Sequence, residues 1–431
     1  MTAEQPHRLA WLDALRGFAA LTVVGFHLSP LMIGAERHLA IMRHIDLGKY
    51  GVLLFFLVSG YVIPMSLERH GDLRRFWAGR LCRIYPAYLA AVALVAVLAA
   101  AGLMRWPASL RADPVTGVLA HVTMLPDLLG VRGAVRVFWT LSYEMTFYLV
   151  VSGLFAWRLH RHSAWWASGL AVTALLAGRL LPDGLLGATV AARRLTAAVL
   201  VVAVALVVAG FLTRRLVPLA GAGGLCFVLL PAVNGHPTPD STVISSWQGL
   251  LLLAVMFAGT VAYRAQHGRL GRGSATAALC VVALAVIGAH WTHLGNPVAH
   301  RVWVANVAAV AATFLFAYMM RKRAVPAILT WLGQISYSLY LLHAVVLFLI
   351  PRAVPDLGTR TPLVRAATGL AYLIVVLGLA WASYRMVELP GQALGRRLVA
   401  RLSHRPATGP HLATQRAAPG TGRGENARES V

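Results

Sequence analysis

Charge is scarce in this chain. Only 13% of its 431 residues are charged, against roughly 25% in a soluble globular protein. Hydrophobic residues make up 58%, where roughly 45–50% is usual. That balance excludes an ordinary soluble domain pair and equally a disordered chain. Cysteine is nearly absent. Cys82, Cys226 and Cys280 have no metal-ligand spacing, so a disulfide-stapled scaffold is excluded, no metal site is expected and buried free thiols are. Lysine occurs only at Lys49 and Lys322, so nearly every cation is a guanidinium. The formal net charge is +24, yet a nucleic-acid partner is not expected. The arginines are scattered between apolar runs instead of gathering on one soluble module interleaved with aromatics.

The apolar runs themselves are long. Ile84 to Leu103, Leu195 to Leu212, Ala305 to Met320 and Val364 to Trp381 are nearly uncharged. Each approaches the length that crosses roughly 30 Å of hydrocarbon as a helix. The fold class expected is all-α, a polytopic membrane bundle of about 10–12 transmembrane helices. Twelve spans can be drawn: 14–33, 48–65, 84–104, 138–157, 164–181, 195–212, 216–233, 247–263, 275–291, 302–320, 328–350 and 364–387. The first is read as a retained helix, since no small-residue cleavage site follows it. Arginine density in the short loops favours a multi-pass plasma-membrane protein with both termini cytoplasmic. Residues 1–13 form a cytoplasmic segment, 14–390 the membrane domain and 391–431 a basic tail, disordered over most of its length.

Ionisable groups inside apolar runs cost at least ~2.5–3.5 kcal/mol on insertion scales, which makes them functional candidates. The first span carries Asp13, Arg16 and His27. Arg16 can snorkel to the inner surface or pair with Asp13. His27 lies eleven residues further, about 16 Å along the axis, beyond the reach of snorkelling. Counting inward from Phe138 sets Glu144 about 9 Å below the outer edge. His27 and His343 fall at a similar distance from the outer ends of their own spans. Three ionisable groups at one depth suggest a shared buried site. A carboxylate on an imidazole orients its tautomer, and the imidazole can then act as a general base. A structural network or a transporter's proton relay would use the same residue types. Ser59 and Gly60 sit mid-membrane, as packing contacts or as substrate ligands. Arg80 and Arg83, spaced i and i+3, form with Arg74 and Arg75 a patch suited to phosphates or to anionic lipid. Pro86 suits the first turn of the third helix.

Five blocks in order now resemble one family, the acyltransferase 3 integral-membrane O-acyltransferases of glycans, lipopolysaccharide and macrolide-type antibiotics. They are LDALRGFAALTVVGFH at 12–27, GVLLFFLVSGYVI at 51–63, RLCRIYPAY at 80–88, WTLSYEMTFYL at 139–149 and ISYSLYLLH at 335–343. The resemblance covers about residues 8 to 390. It implies an acyl-CoA co-substrate, with no bound cofactor, and a hydroxyl acceptor on a sugar or macrolide. It assigns His27 as the essential histidine and Glu144 as the acidic residue, with Arg16, Arg80 and Arg83 near the CoA. Ser59, Tyr148 and His343 complete the expected substrate site, and Glu144 is expected to orient His27. Two positions depart from the family pattern: Gly79 precedes Arg80 where paired arginines are common, and Met145 follows Glu144 where a second acid is common. No esterase-like domain is expected after the last helix. Direct transfer and a transiently acylated His27 both remain open, as does the competing reading of a proton-coupled transporter.

Overall fold

The computed structural model describes residues 9–233, 235 and 242–403. The expectations for 1–8 and for the tail from 404 lie outside the described residues. Eighteen α-helices follow in order. They are α1 Ala10–Ile33, α2 Ala35–Met42, α3 Leu47–His70, α4 Leu73–Ala100, α5 Ala108–Ala112 and α6 Pro114–Thr123. Next come α7 Trp139–Ala156, α8 Ser163–Ala177, α9 Val190–Thr213, α10 Val217–Cys226, α11 Leu229–Val233 and α12 Ser246–Gln266. The last six are α13 Arg272–Leu294, α14 Pro297–Met319, α15 Ala327–Leu347, α16 Ile350–Ala353, α17 Pro362–Ser383 and α18 Leu389–Ser403.

Nine helical stretches among the described residues are long and apolar enough to cross a membrane. The protein is an all-α, multi-pass membrane bundle. Its lipid-facing surface is apolar, with Leu176, Leu195, Leu206, Leu284 and Phe316 exposed on helix flanks. The other three of the twelve expected spans are helical but fall short. The α8 helix has 15 residues, and the expected span 216–233 is the shorter apolar stretch Val217–Val233 made of α10 and α11; both are below the ~20 that a crossing needs. The α7 helix is different: nearly all of its residues are buried, so protein rather than lipid surrounds its polar side chains.

Two boundaries move. The third helix starts at Leu73, not near 84, because the Asp72 side chain caps it by accepting from the Arg74 and Arg75 amides at 2.9 and 3.4 Å. Pro86 therefore lies inside α4, where no first-turn role exists for it. At the other end, the chain stays helical past 390 through Ser403, joined to α17 by a π-turn over Tyr384–Glu388. The thiols are free, but Cys82 is only partly buried and Cys226 and Cys280 are exposed on the helix surface.

Packing centres on α1, which lies between α3 and α15, and on α12, which lies between α3 and α8. Glycines allow the closest crossings. A Cβ on Gly60 would collide with the Met256 carbonyl, so α3 and α12 touch backbone to backbone there. At one end of that pair, Arg264 donates to Glu68 at 2.6 Å and Arg269 pairs with the other oxygen of the same carboxylate. We call the end at which α1 starts the near face and the opposite end the far face.

Candidate active site

The α1 and α15 helices run parallel and in register. A Cβ on Gly17 would lie 2.7 Å from the Gly333 amide nitrogen, and one on Gly333 would strike the Asp13 backbone. Ten residues further along each helix stand His27 and His343, and equal rise per residue brings them to one depth. Their rings lie 5.2 Å apart at 49°. His343 is fully buried, and its Nδ1 lies 2.8 Å from the Tyr340 carbonyl, which can only accept. That nitrogen therefore carries the hydrogen, and Nε2 carries the lone pair. This Nε2 lies 3.4 Å from His27 Nδ1, which is also 2.9 Å from the Val23 carbonyl. Two acceptors thus face His27 Nδ1, so it is the protonated nitrogen. His27 Nε2 is left with the lone pair, and the ring lines a far-face cavity of about 640 Å³.

Glu144 is not the partner of His27. Its carboxylate accepts a short hydrogen bond from the Tyr148 hydroxyl, one turn along α7. The charges it acts on are Arg16 and Arg80. The reason is the entry into α7. Residues 124–138 do not run at the surface but fold inward, with Leu125, Leu128, Leu129, Val131 and Val135 buried. The helix therefore begins inside the protein. Thr140 donates to the Tyr340 hydroxyl at 2.9 Å, and Glu144 lies a further turn towards the near face. Counting from an assumed edge at Phe138 set it too shallow. The shared depth holds for His27 and His343 alone.

Glu144 belongs instead to a buried ionic layer. Arg16 is acted on there by Arg83, Asp13 and Glu144, and its Nε is buried without a hydrogen-bond partner. Its guanidinium lies 5.6 Å from the Phe55 ring centre. Arg80 lies over the rings of Phe76 and Tyr148, at 5.5 and 5.3 Å. A third carboxylate, which the sequence did not single out, is Glu388 in the π-turn. It is buried, accepts from the Ser338 amide at 3.2 Å, and is acted on by Arg83 and Arg16. Three arginines and three carboxylates thus share one layer, with Glu144 and Glu388 buried and the others partly buried. Mutual attraction offsets the desolvation that each charge would suffer alone.

Below that layer a near-face cavity of about 680 Å³ is lined by Arg75, Arg80, Arg83 and Arg396, with His70 and Gln392. Arg74 does not line it. The helix through 73–100 does put Arg80 and Arg83 on one face, as their spacing requires. Between the ionic layer and the far cavity stand Phe55 and Tyr340, stacked at 6.1 Å and 13° beside a void of about 10 Å³. Ser59 is buried beside the α3–α12 crossing and lines neither large cavity, so its place is a packing one.

The chain matches the Acyl_transf_3 family model, an acyltransferase domain, over residues 9–188 and 194–385. It belongs to that family. The chain is 30% identical over 177 residues to Acyltransferase MdmB of Streptomyces mycarofaciens, 39% of this chain and 45% of that protein. It is 25% identical over 169 residues to O-acetyltransferase OatA of Staphylococcus aureus, 36% of this chain and 26% of that protein. The matches thus span less than half the length of these curated relatives. No solved structure matches it.

The far cavity is walled mainly by apolar side chains, with polar groups among them. His290 and Trp303 stack at 3.5 Å, and the Lys49 ammonium lies 5.1 Å from the Trp303 ring. Arg136 is exposed at the rim. None of these was singled out from the sequence. His290 ends an apolar run in GAHWTH, which reads equally well as an interfacial anchor. A second wall, Thr242 to Ile244, is held from behind by Asp127, which accepts from the Thr242 amide and the Tyr143 hydroxyl, each at 3.4 Å. Asp127 lies in the loop between α6 and α7, and burial pushes its carboxyl up to about 7.

Proposed function

We propose that this acyltransferase moves an acetyl or other short acyl group from acyl-CoA to a hydroxyl of a carbohydrate or macrolide-type acceptor. The observation that carries the reading is His27, whose Nδ1–H is committed to Val23 and His343 while its ring opens on the far cavity. In this reading the acceptor lies in that cavity. His27 Nε2 takes the hydroxyl proton as the oxygen attacks the thioester carbonyl, and the C–S bond breaks. The imidazolium then returns its proton to the departing thiolate, releasing CoA. His343 Nε2 accepts from the Nδ1–H and stabilises the imidazolium while it exists. The donor's phosphates sit at the near face on Arg80 and Arg83, with the near face cytoplasmic. The flexible arm of the thioester passes Arg16 and Phe55 to reach His27. Glu144, through Tyr148, balances Arg16 and Arg80 instead of orienting the base. The apolar walls of the far cavity favour an acceptor with an apolar body and a few hydroxyls.

Membranes containing the wild type and His27→Ala at matched expression, given labelled acetyl-CoA and a panel of sugars, peptidoglycan fragments and macrolides, test this. Label in an acceptor with the wild type alone is the expected outcome. Equal labelling by His27→Ala would remove His27 from the chemistry. Labelling from acetyl phosphate but not from acetyl-CoA would overturn the donor.

A further inference from the structure

We infer that the C-terminal helix α18 forms one wall of the donor site, with Arg396 and Gln392 holding phosphates of the donor opposite the arginines of α4. The inference rests on the acyl-CoA reading above. It goes beyond family membership, because the family match ends at residue 385 and α18 begins at Leu389.

The α18 helix is held against α4 by two glycines one turn apart. A Cβ on Gly391 would collide with the Cys82 carbonyl, and one on Gly395 would lie 3.0 Å from the Cys82 Cβ. With that face fixed, Gln392 and Arg396, each one residue further on, turn together into the near-face cavity. Across it stand Arg75, Arg80 and Arg83 from α4, and Ser66 and His70 from the end of α3. Four guanidiniums therefore converge on one space, and no carboxylate is among the described residues that line it. A single phosphate would satisfy one or two forked guanidiniums. Four from two separate helices suit a ligand bearing several phosphates.

A nucleotide thioester and an anionic lipid headgroup share this phosphate chemistry. What favours the thioester is where the cavity lies. Arg80 both lines it and lies over Tyr148, the partner of Glu144, so the cavity borders the ionic layer. A headgroup site needs no such border.

The test uses the full chain in phosphatidylcholine nanodiscs, titrated calorimetrically with coenzyme A. Arg396→Ala should raise the dissociation constant about tenfold, the size of one charge-assisted contact, and Arg396→Lys should recover part of it. Arg397→Ala removes the same charge from the next position, outside the cavity lining, and should leave binding unchanged. In transfer assays Arg396→Ala should raise KM for acetyl-CoA and leave kcat within about twofold. Arg396→Ala titrating like the wild type, or Arg397→Ala weakening binding equally, would overturn the inference. The same titrations in discs containing phosphatidylglycerol separate the two ligand sources. Arg396-dependent retention of that lipid, with coenzyme A binding insensitive to Arg396, would make the cavity a headgroup site. Failure of the wild type to bind coenzyme A at all would instead overturn the donor assignment on which the inference stands.

Discussion

Around His27, hydrogens matter more than formal charges. The ring is set by what faces Nδ1: the Val23 carbonyl at 2.9 Å and His343 Nε2 at 3.4 Å. In the proposed mechanism His343 acts through His27, which makes it a positioning residue. Its replacement by Ala removes one of the two acceptors and should lower kcat about 10- to 100-fold, as loss of an orienting partner does elsewhere. Glutamine, which can offer an oxygen near the same point, should recover part of the rate and return the acid limb of the pH–rate profile, where the base is lost to protonation, towards the wild type. If the two variants behave alike in rate and pH profile, His343 is only filler. A lone imidazole in an apolar run is more often a packing residue; the sequence pointed to both histidines because they fall at matching distances from the ends of their spans and within blocks that resemble the family. It did not reveal which residue His27 meets, since that depends on where α7 enters the protein. Glu388 went unread because, near the end of the last span, a carboxylate looks like an ordinary interfacial residue.

Helix contacts impose their own tests. The α1–α15 crossing tolerates no side chain at Gly333, because a Cβ there strikes the Asp13 backbone. Gly333→Val should separate the two helices, lower stability by about 1–3 kcal/mol and misalign the histidine pair. Thermal melts in detergent together with kcat would show both effects, and a fully active, fully stable variant would disprove the tight crossing. In the α6–α7 loop, the folded Asp127 carboxyl is pushed up to about 7 from 3.8. The folded state therefore holds this proton to higher pH than the unfolded chain does. The contribution to stability falls as pH rises from about 4 to about 7, then levels off. Asp127→Asn should flatten that part of the melting profile; an unchanged slope would assign it to another group. Helices such as α1, α3, α9 and α13 were legible from run length alone. The start of α4 was not, since the capping of Asp72 onto the Arg74 and Arg75 amides pulls a charged stretch into the helix and leaves Pro86 inside it. The α18 helix, whose polar sequence resembles a tail, packs against α4 and the π-turn.

Among the described residues a cavity lies towards each face, with an ionic layer and the Phe55–Tyr340 pair between the two. The two substrates should therefore be accepted from opposite sides. Sealed vesicles of defined orientation, given acetyl-CoA on one side only, should transfer label when the donor meets the near face. Equal rates from either face would remove the sidedness. The histidine pair joins positions 316 residues apart, on helices from opposite ends of the described chain. During synthesis α1 enters the membrane first and must wait for α15 before its imidazole has the second acceptor. On the mechanism proposed above, maturation of the base thus becomes a late step of assembly, reached only when α15 has joined α1.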